Sequence, residues 1–317
     1  MLGYTVRRLL AAVPTLLAVL TVIFLVIRMV PGDPAIALLG SHASAAAIEA
    51  LRERLGLNQP LHVQYLQFLR GALQGDLGVS LMTGRPVWEH LWNVLPYTVD
   101  LTLASVLIGV ALGLPLGIVS ALHRNRFLDL ATRVLSLLGL SLPAFFTAIL
   151  LMLAFSIRLG WFPVISEGKL DDPLDRLHHL ALPALSLGLI MVTYVTRATR
   201  AAMLEVLGED YIRTARAKGL SERVVVLYHA LRNALISIVT VVGLYLGILI
   251  GNSVLTEIVF NRPGLGKLIV GALEERDYNV LQGLMVFYAF LVVVINLITD
   301  LAYGLCDPRV KYHADRR

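Results

Sequence analysis

Apolar positions in this 317-residue chain run in long unbroken stretches. A helix crossing a hydrocarbon core needs about 20 apolar residues, and lipid offers its backbone no hydrogen-bond partner, so such stretches predict spanning helices. Six are present, at residues 9–27, 99–122, 130–157, 179–194, 234–256 and 281–303. The fourth is the least apolar. Pro183 sits near its start, where an early helical position has no N–H partner to lose, and residues 193–196 end it in polar side chains. The polar and apolar alternation of a membrane-barrel strand is absent. The pattern predicts an all-α, polytopic membrane protein with six transmembrane helices.

The segments between the spans divide the chain. Residues 1–30 form the first transmembrane helix and 31–97 a less apolar extracytoplasmic region. Residues 98–303 hold a core of five spans with a charged cytoplasmic loop at 201–233, and 304–317 form a tail. In the second of these segments Ile48, Leu51 and Leu55 recur at i, i+3 and i+7, which predicts an amphipathic helix over 43–55 closed by Gly56. A second helical piece covers 63–73 and stops before Gly75-Asp76-Leu77-Gly78. Both suit a cap or docking surface. Gly109, Gly113 and Gly117 in the second span, and Gly243, Gly247 and Gly251 in the fifth, form flat stripes. Such stripes let helices approach closely, within the chain or against a second subunit. A pore-facing stripe in the fifth span is the alternative.

Composition fixes the setting. Hydrophobic residues make up 57% of the chain and charged residues 15%, with a mean hydropathy of +0.75. A soluble domain has about 45–50% and about 25%. With the N-terminus inside, inner segments hold 16 of the 27 Lys and Arg but 8 of the 22 acidic residues. Basic residues in short loops govern orientation, so both termini are expected in the cytoplasm. The net charge of +5 then reflects topology and contact with membrane lipid, and no nucleic acid is expected as a partner. Arg7 and Arg8 precede an apolar stretch as in a secretory signal. That stretch exceeds the roughly 7–15 residues of a signal core and lacks a small-residue cleavage site, so a retained span is expected. The single cysteine, Cys306, excludes an internal disulfide and reads as a small hydrophobe at the end of the last span.

No Asp, Glu, Lys or Arg lies near the middle of a predicted span; Asp100, Arg158 and Glu257 stand at span ends. An ion-coupled carrier needs such groups, so the driving energy is expected to enter elsewhere. Residues 261–267 look superficially like a phosphate loop. Asn261 stands at the first glycine position and Leu268 at the hydroxyl position, so the motif is rejected and Pro263, Gly264 and Gly266 read as a rigid turn. No hydrolase or metal-ligand spacing occurs, and His178-His179 reads as interfacial. Catalytic residues, a metal site and a cofactor bound by this chain are not expected.

The stretch at 209–233 is the exception to the apolar pattern. Glu209 and Asp210 favour a helix N-terminus, Gly219 suits a left-handed helix end, and Ser221-Glu222 suits a new start. A helix, a tight turn and a second helix are predicted to project from the membrane. The turn offers Arg216, Ala217, Lys218, Gly219 and Leu220 to a soluble partner or, alternatively, to anionic lipid.

At 213–220, Arg-Thr-Ala-Arg-Ala-Lys-Gly-Leu resembles the peptide-permease version of the Glu-Ala-Ala-x3-Gly loop of ABC importer permeases. The resemblance continues through Pro31-Gly32-Asp33-Pro34, Gly75 to Ser80, Gly208-Glu209-Asp210-Tyr211, His229 to Ala234, Pro263-Gly264-Leu265-Gly266 and Arg276-Asp277-Tyr278. Together these are similar to the first permease subunit of dipeptide, oligopeptide, glutathione and nickel importers.

The resemblance implies the type I ABC importer transmembrane-domain fold in a bacterial or archaeal inner membrane. It implies peptide import with a second homologous permease, two cytoplasmic ATPases carrying ATP and magnesium, and an extracytoplasmic solute-binding protein. Arg213, Thr214, Ala215, Arg216, Ala217, Lys218, Gly219, Leu220 and Ser221 become the ATPase-coupling residues. Arg213 and Thr214 stand where the general motif has Glu and Ala, and Ser237 stands where relatives often have proline at the entry to the fifth span. Asn252, Ser253 and Thr256 are candidates to line the path, and Pro31, Gly32, Asp33 and Pro34 to form an outer turn or gate, with turn geometry the default. The segment 158–177 is short beside that of some dipeptide permeases and closer in length to the glutathione type. A nickel permease, an ion-coupled carrier and a membrane scaffold are the alternatives.

Overall fold

The computed structural model describes residues 2–29, 33–39, 43–169 and 171–306. Pro31 and Gly32 of the expected outer turn and residues 307–317 of the expected tail lie outside the described residues, as do the side chains of Pro34 and Cys306. The helices are α1 (Leu2–Met29), α2 (Pro34–Leu39), α3 (Ala45–Arg54), α4 (Leu61–Gln74), α5 (Val87–Leu122), α6 (Phe127–Ser141), α7 (Ala144–Leu151), α8 (Pro173–Leu207), α9 (Asp210–Ala217), α10 (Glu222–Val224), α11 (Leu231–Val259), α12 (Leu265–Glu274) and α13 (Tyr278–Cys306). π-Helical turns come after α7 at Met152–Arg158 and after α10 at Val225–Ala230. Among the described residues there is no sheet, and Val79 and Pro86 form an isolated antiparallel bridge.

Among the described residues, five helical stretches are long and apolar enough to cross a membrane: Leu10–Met29, Val87–Leu122, Pro173–Leu207, Glu222–Val259 and Tyr278–Thr299. A sixth crossing requires α6 and α7 together, and there the sequence expectation needs correction. The predicted span at 130–157 is two helices meeting at 100°. Pro143 lacks an N–H and its ring disfavours helical geometry in the residue before it; Leu142 is accordingly extended, with φ −96° and ψ 124°.

The fourth span also differs. α8 begins at Pro173 rather than near 179, which places Pro183 inside the helix. Its missing N–H removes the helical donor to His179 O, a loss that spanning helices tolerate, and nearby hydroxyls brace the carbonyls at the proline itself. Ser186 Oγ donates to Pro183 O at 2.8 Å and Ser105 Oγ to Ala184 O at 3.3 Å. α8 is also the most enclosed span, 67% buried over its apolar window against 22% for α1. Its polar residues therefore face protein, which is why its apolar signal is weak.

The chain folds as two compact units. One consists mainly of Tyr97–Pro263, the other of Thr5–Pro96 and Gly264–Val294. In the first, α8 packs against α6, α7 and α11, with Leu187, Met191, Val195 and Met203 fully buried. The glycine stripe of α5 lies on the same helix: a Cβ at Gly109 would stand 2.2 Å from Met191 Cγ and one at Gly117 2.5 Å from Thr199 Cβ. That stripe therefore serves packing within the chain. In α11 a Cβ at Gly243 would meet Thr299 Cγ2 at 2.0 Å, while Gly251 is exposed.

In the second unit, Phe24 of α1 contacts Tyr65 and Phe68 of α4 at ring-centroid distances of 5.3 and 5.7 Å. Arg28 Nε donates to Gln64 Oε1 at 3.0 Å. α3 starts at Ser44, whose Oγ accepts from Ala47 N, and none of its residues is buried.

Candidate functional site

The charged loop folds as helix, turn and helix. α9 turns Ile212 and Ala215, three residues apart, into the core of its unit beside Met203, Val225, Val226 and Ala230. Ala215 of the expected coupling set is thus held inside, while Arg213, Thr214, Arg216, Ala217, Lys218, Gly219, Leu220 and Ser221 are exposed. The helix ends in a Schellman arrangement: Gly219 N–H donates to Arg216 O at 2.9 Å and Leu220 N–H to Ala215 O at 3.4 Å. Gly219 has φ +77°, and a Cβ there would meet nothing within 4 Å. The glycine answers a backbone requirement, and the space beside it stays open.

Across the turn, Arg216 Nη2 and Nε donate to Glu222 Oε1 and Oε2 at 2.7 and 3.2 Å. The Ser221 hydroxyl makes no cap, contrary to the expected start; Ser221 O receives Val224 N–H and Val225 N–H instead. The second helix is not a separate projection. It runs through the π-turn directly into α11, which continues unbroken through Ser237. A π-turn adds a residue to the helix and re-aims the side chains beyond it. Asn233 Nδ2 then donates to Tyr211 Oη at 2.7 Å, joining the base of α11 to α9. The turn is thereby fixed to a spanning helix on both sides.

At the span ends expected outside, the same unit buries charge. Arg262 is 0% exposed; its Nε donates to Tyr97 O at 3.2 Å and its Nη1 to Ser166 O at 2.9 Å. The guanidinium lies 5.1 Å from the Tyr97 ring centroid. Asp100 accepts two bonds from Arg176 at 2.6 and 2.5 Å and lies 3.8 Å from Arg262 Nη2. Thr98 Oγ1 donates to the buried Glu257 at 2.7 Å. This cluster was missed in the sequence, although Asp100 and Glu257, lone charges ending apolar runs, were its signal. Within 261–267, Arg262 points inward and packs.

Two motifs of the second unit meet although they are far apart in sequence. Asp277, 3% exposed, accepts from Ser80 Oγ at 2.5 Å, Leu81 N at 3.2 Å and Val280 N at 3.2 Å. Beside them opens a cleft of about 170 Å³ lined in part by Gln67, Asp76, Asn279 and Gln282. Of the expected outer turn, Asp33 caps α2 through Ala35 N at 2.8 Å and pairs with Arg52. Burial pushes its carboxyl up, but the bonds from Arg52 and Ala35 outweigh this and hold it below the ordinary carboxylate value.

The path candidates do not form one open polar face. Ser253 and Thr256 are buried, their hydroxyls donating to Ile250 O and Asn252 O of their own helix at 2.8 and 3.4 Å; Asn252 is half-buried.

Comparison with known proteins agrees with this architecture. The family described as "Binding-protein-dependent transport system inner membrane component" matches residues 113–312, and its N-terminal counterpart matches residues 1–102. The chain belongs to this family of ABC importer permeases. Relatives named "Glutathione transport system permease protein GsiC" are 42% identical in Escherichia coli and 43% in Salmonella typhi. Each similarity extends over 312 residues, 98% of this chain and 100% of the relative. A solved structure, "Inward facing conformations of the MetNI methionine ABC transporter", aligns with a TM-score of 0.56 at 19% identity over 68% of this chain and 95% of that one. It shows the fold, that of a type I importer permease, and the all-α polytopic expectation is met. The permease is a multi-pass membrane protein and a transport component rather than a catalyst.

Proposed function

We propose that this permease forms half of the translocation path of an ATP-driven importer of glutathione or closely related short peptides. Its partners are a second homologous permease, two cytoplasmic ATPases that hold ATP and magnesium, and an extracytoplasmic binding protein that delivers the peptide. The full-length similarity to glutathione permeases supports the substrate class. The observation that carries the mechanism is the exposed, Schellman-closed turn at Arg216–Leu220, anchored below by Ile212, Ala215 and the Tyr211–Asn233 bond.

In this reading both termini are cytoplasmic and the turn seats in a groove on an ATPase. Closure of the ATPases on ATP pushes the turn, and the continuous helix from Glu222 to Val259 carries the push into the membrane. Asp33, the Ser80–Asp277 junction and its cleft would lie on the outer surface that meets the binding protein. Co-reconstitution with the partner subunits in liposomes tests the reading. Glutathione uptake should require ATP and be lost in Gly219→Leu, with a fall in thermal stability, from the left-handed backbone at this position, too small to account for the loss. Full uptake and ATPase stimulation by that variant would remove the coupling role, and uptake that tracks an ion gradient without ATP would remove the mechanism altogether.

A further inference from the structure

A cleft of about 150 Å³ opens between α5, α6 and α8, and Arg133, Arg197 and Arg200 share its wall. None of its lining residues is acidic. The nearby acid, Asp129, is fully buried and already engaged. It accepts from Ser120 Oγ at 2.7 Å, Asn125 N at 2.9 Å and Arg200 at 2.6 and 2.9 Å. Arg133 is left with a long 3.7 Å approach to Asp129 and is half-exposed. Arg197 is exposed and has no carboxylate at ion-pair distance among the described residues. The cleft therefore carries positive charge in excess of its internal acid. Immediately beside it, α6 turns Leu130, Val134, Leu137 and Leu138 outward.

We propose that this cleft binds an anionic phospholipid, its phosphodiester between Arg133 and Arg197 and its acyl chains along the leucine face of α6. Three physical facts select this occupant. Guanidinium groups that keep donors to spare, as Arg133 and Arg197 do here, complement a phosphate oxygen geometrically. A water-soluble anion would gain nothing from the apolar face of α6, whereas an acyl chain covers it. Basic pockets between spanning helices on the cytoplasmic side suit anionic headgroups. The depth agrees, resting here on the proposed orientation: Arg197 and Arg200 precede the end of α8 at Leu207 by roughly 10–15 Å of helix rise, and the coupling turn comes directly after. The permease would thus hold a lipid at the root of its coupling arm.

Photoreactive phosphatidylglycerol incorporated with the full-length permease into phosphatidylcholine nanodiscs provides the test, because labelling is read without transport or ATPase partners. Peptides of α6 and α8 should be labelled. Arg133→Gln with Arg197→Gln should lower labelling about tenfold or more, each basic residue near an anionic surface being worth roughly fivefold. Arg124→Gln with Arg126→Gln, exposed basic residues outside the cleft, should leave labelling unchanged, and Arg197→Lys, which keeps the charge but not the fork of donors, should fall between the wild type and the cleft double variant. Undiminished labelling in the cleft double variant overturns the proposal, as does an equal loss in the control variant, which would mean general surface attraction. Competition by inorganic phosphate at the lipid's concentration would also overturn it, showing a free-anion site. These outcomes stand whether or not glutathione proves to be the cargo.

Discussion

The coupling turn and the Arg262 cluster both concentrate charge at the ends of spanning helices in one unit, and they hold it in opposite ways. At the turn, Arg216 and Glu222 face solvent with side chains 42% and 58% exposed, and Arg213 and Asp210 with 75% and 95%. At the cluster, Arg262 is 0% and Asp100 18% exposed. Water screens the first set, so its ion pairs contribute little to the fold and can be exchanged for a partner's groups. The second set has lost its water, so each charge depends on neighbours supplied by α5, α8 and the 158–172 connection. One end leaves its charges open to exchange, the other uses them to keep its own helices in place.

The largest effect is expected where charge is buried. Arg262→Leu removes two donors from Tyr97 O and Ser166 O and leaves Asp100 and Glu257 with less compensation, costing about 3–5 kcal/mol. The purified permease in detergent should then show a clearly lower Tm; an unchanged Tm would break the contrast between the two ends. At the turn, Gly219→Ala is expected to cost about 1 kcal/mol through its left-handed backbone alone, since a Cβ meets no neighbour. Its Tm should fall far less than that of Arg262→Leu, and loss of ATPase stimulation out of proportion to the Tm change would sharpen the contrast.

Smaller still is the Arg216–Glu222 pair. A double-mutant cycle with Arg216→Ala and Glu222→Ala, read by thermal unfolding of the isolated permease, should return a coupling of about 0.2–1 kcal/mol. A value above that range would mean that the turn is held by its own charges. Asp33 lies between the extremes in exposure and should show its effect only in acid. Its carboxyl is held below its ordinary value, so it stabilises the fold above the unfolded-state pKa, and that contribution is lost as pH falls through the depressed folded value. Hydrogen exchange in α2 and α3 should accelerate below about pH 4 in the wild type but not in Asp33→Asn; identical pH profiles would show that the Arg52 pair does not hold this segment.

Much of this molecule was legible in order of residue. Gly219 as a left-handed helix end, Gly56 and Gly75 as stops for α3 and α4, and five of the spans arise from local rules, because each depends on backbone geometry or on a stretch of chain against lipid. The break at Leu142–Pro143 was also locally encoded, but the apolar run masked it: lipid-compatible composition says nothing about whether a helix is straight. The internal position of Pro183 was hidden because α8 is enclosed by protein, where polar residues are admitted and hydropathy loses its edge. The outcome at Ser253 and Thr256, polar yet satisfied by their own helix, could not be foreseen from residue type.

Sequence alone determined that the chain is an all-helical membrane protein, which family its motifs place it in, and where a charged turn interrupts the spans. Those properties arise from local backbone preference and from the cost of exposing peptide groups or charge to lipid, both additive along the chain. Tertiary structure decided which charges are free. Asp129 takes Arg200 and leaves Arg197 in a cleft, Asp277 joins Ser80 across 197 positions, and Arg262 disappears beneath Tyr97. Partner choice among buried groups is set by three-dimensional proximity at low dielectric, and order along the chain does not carry that information.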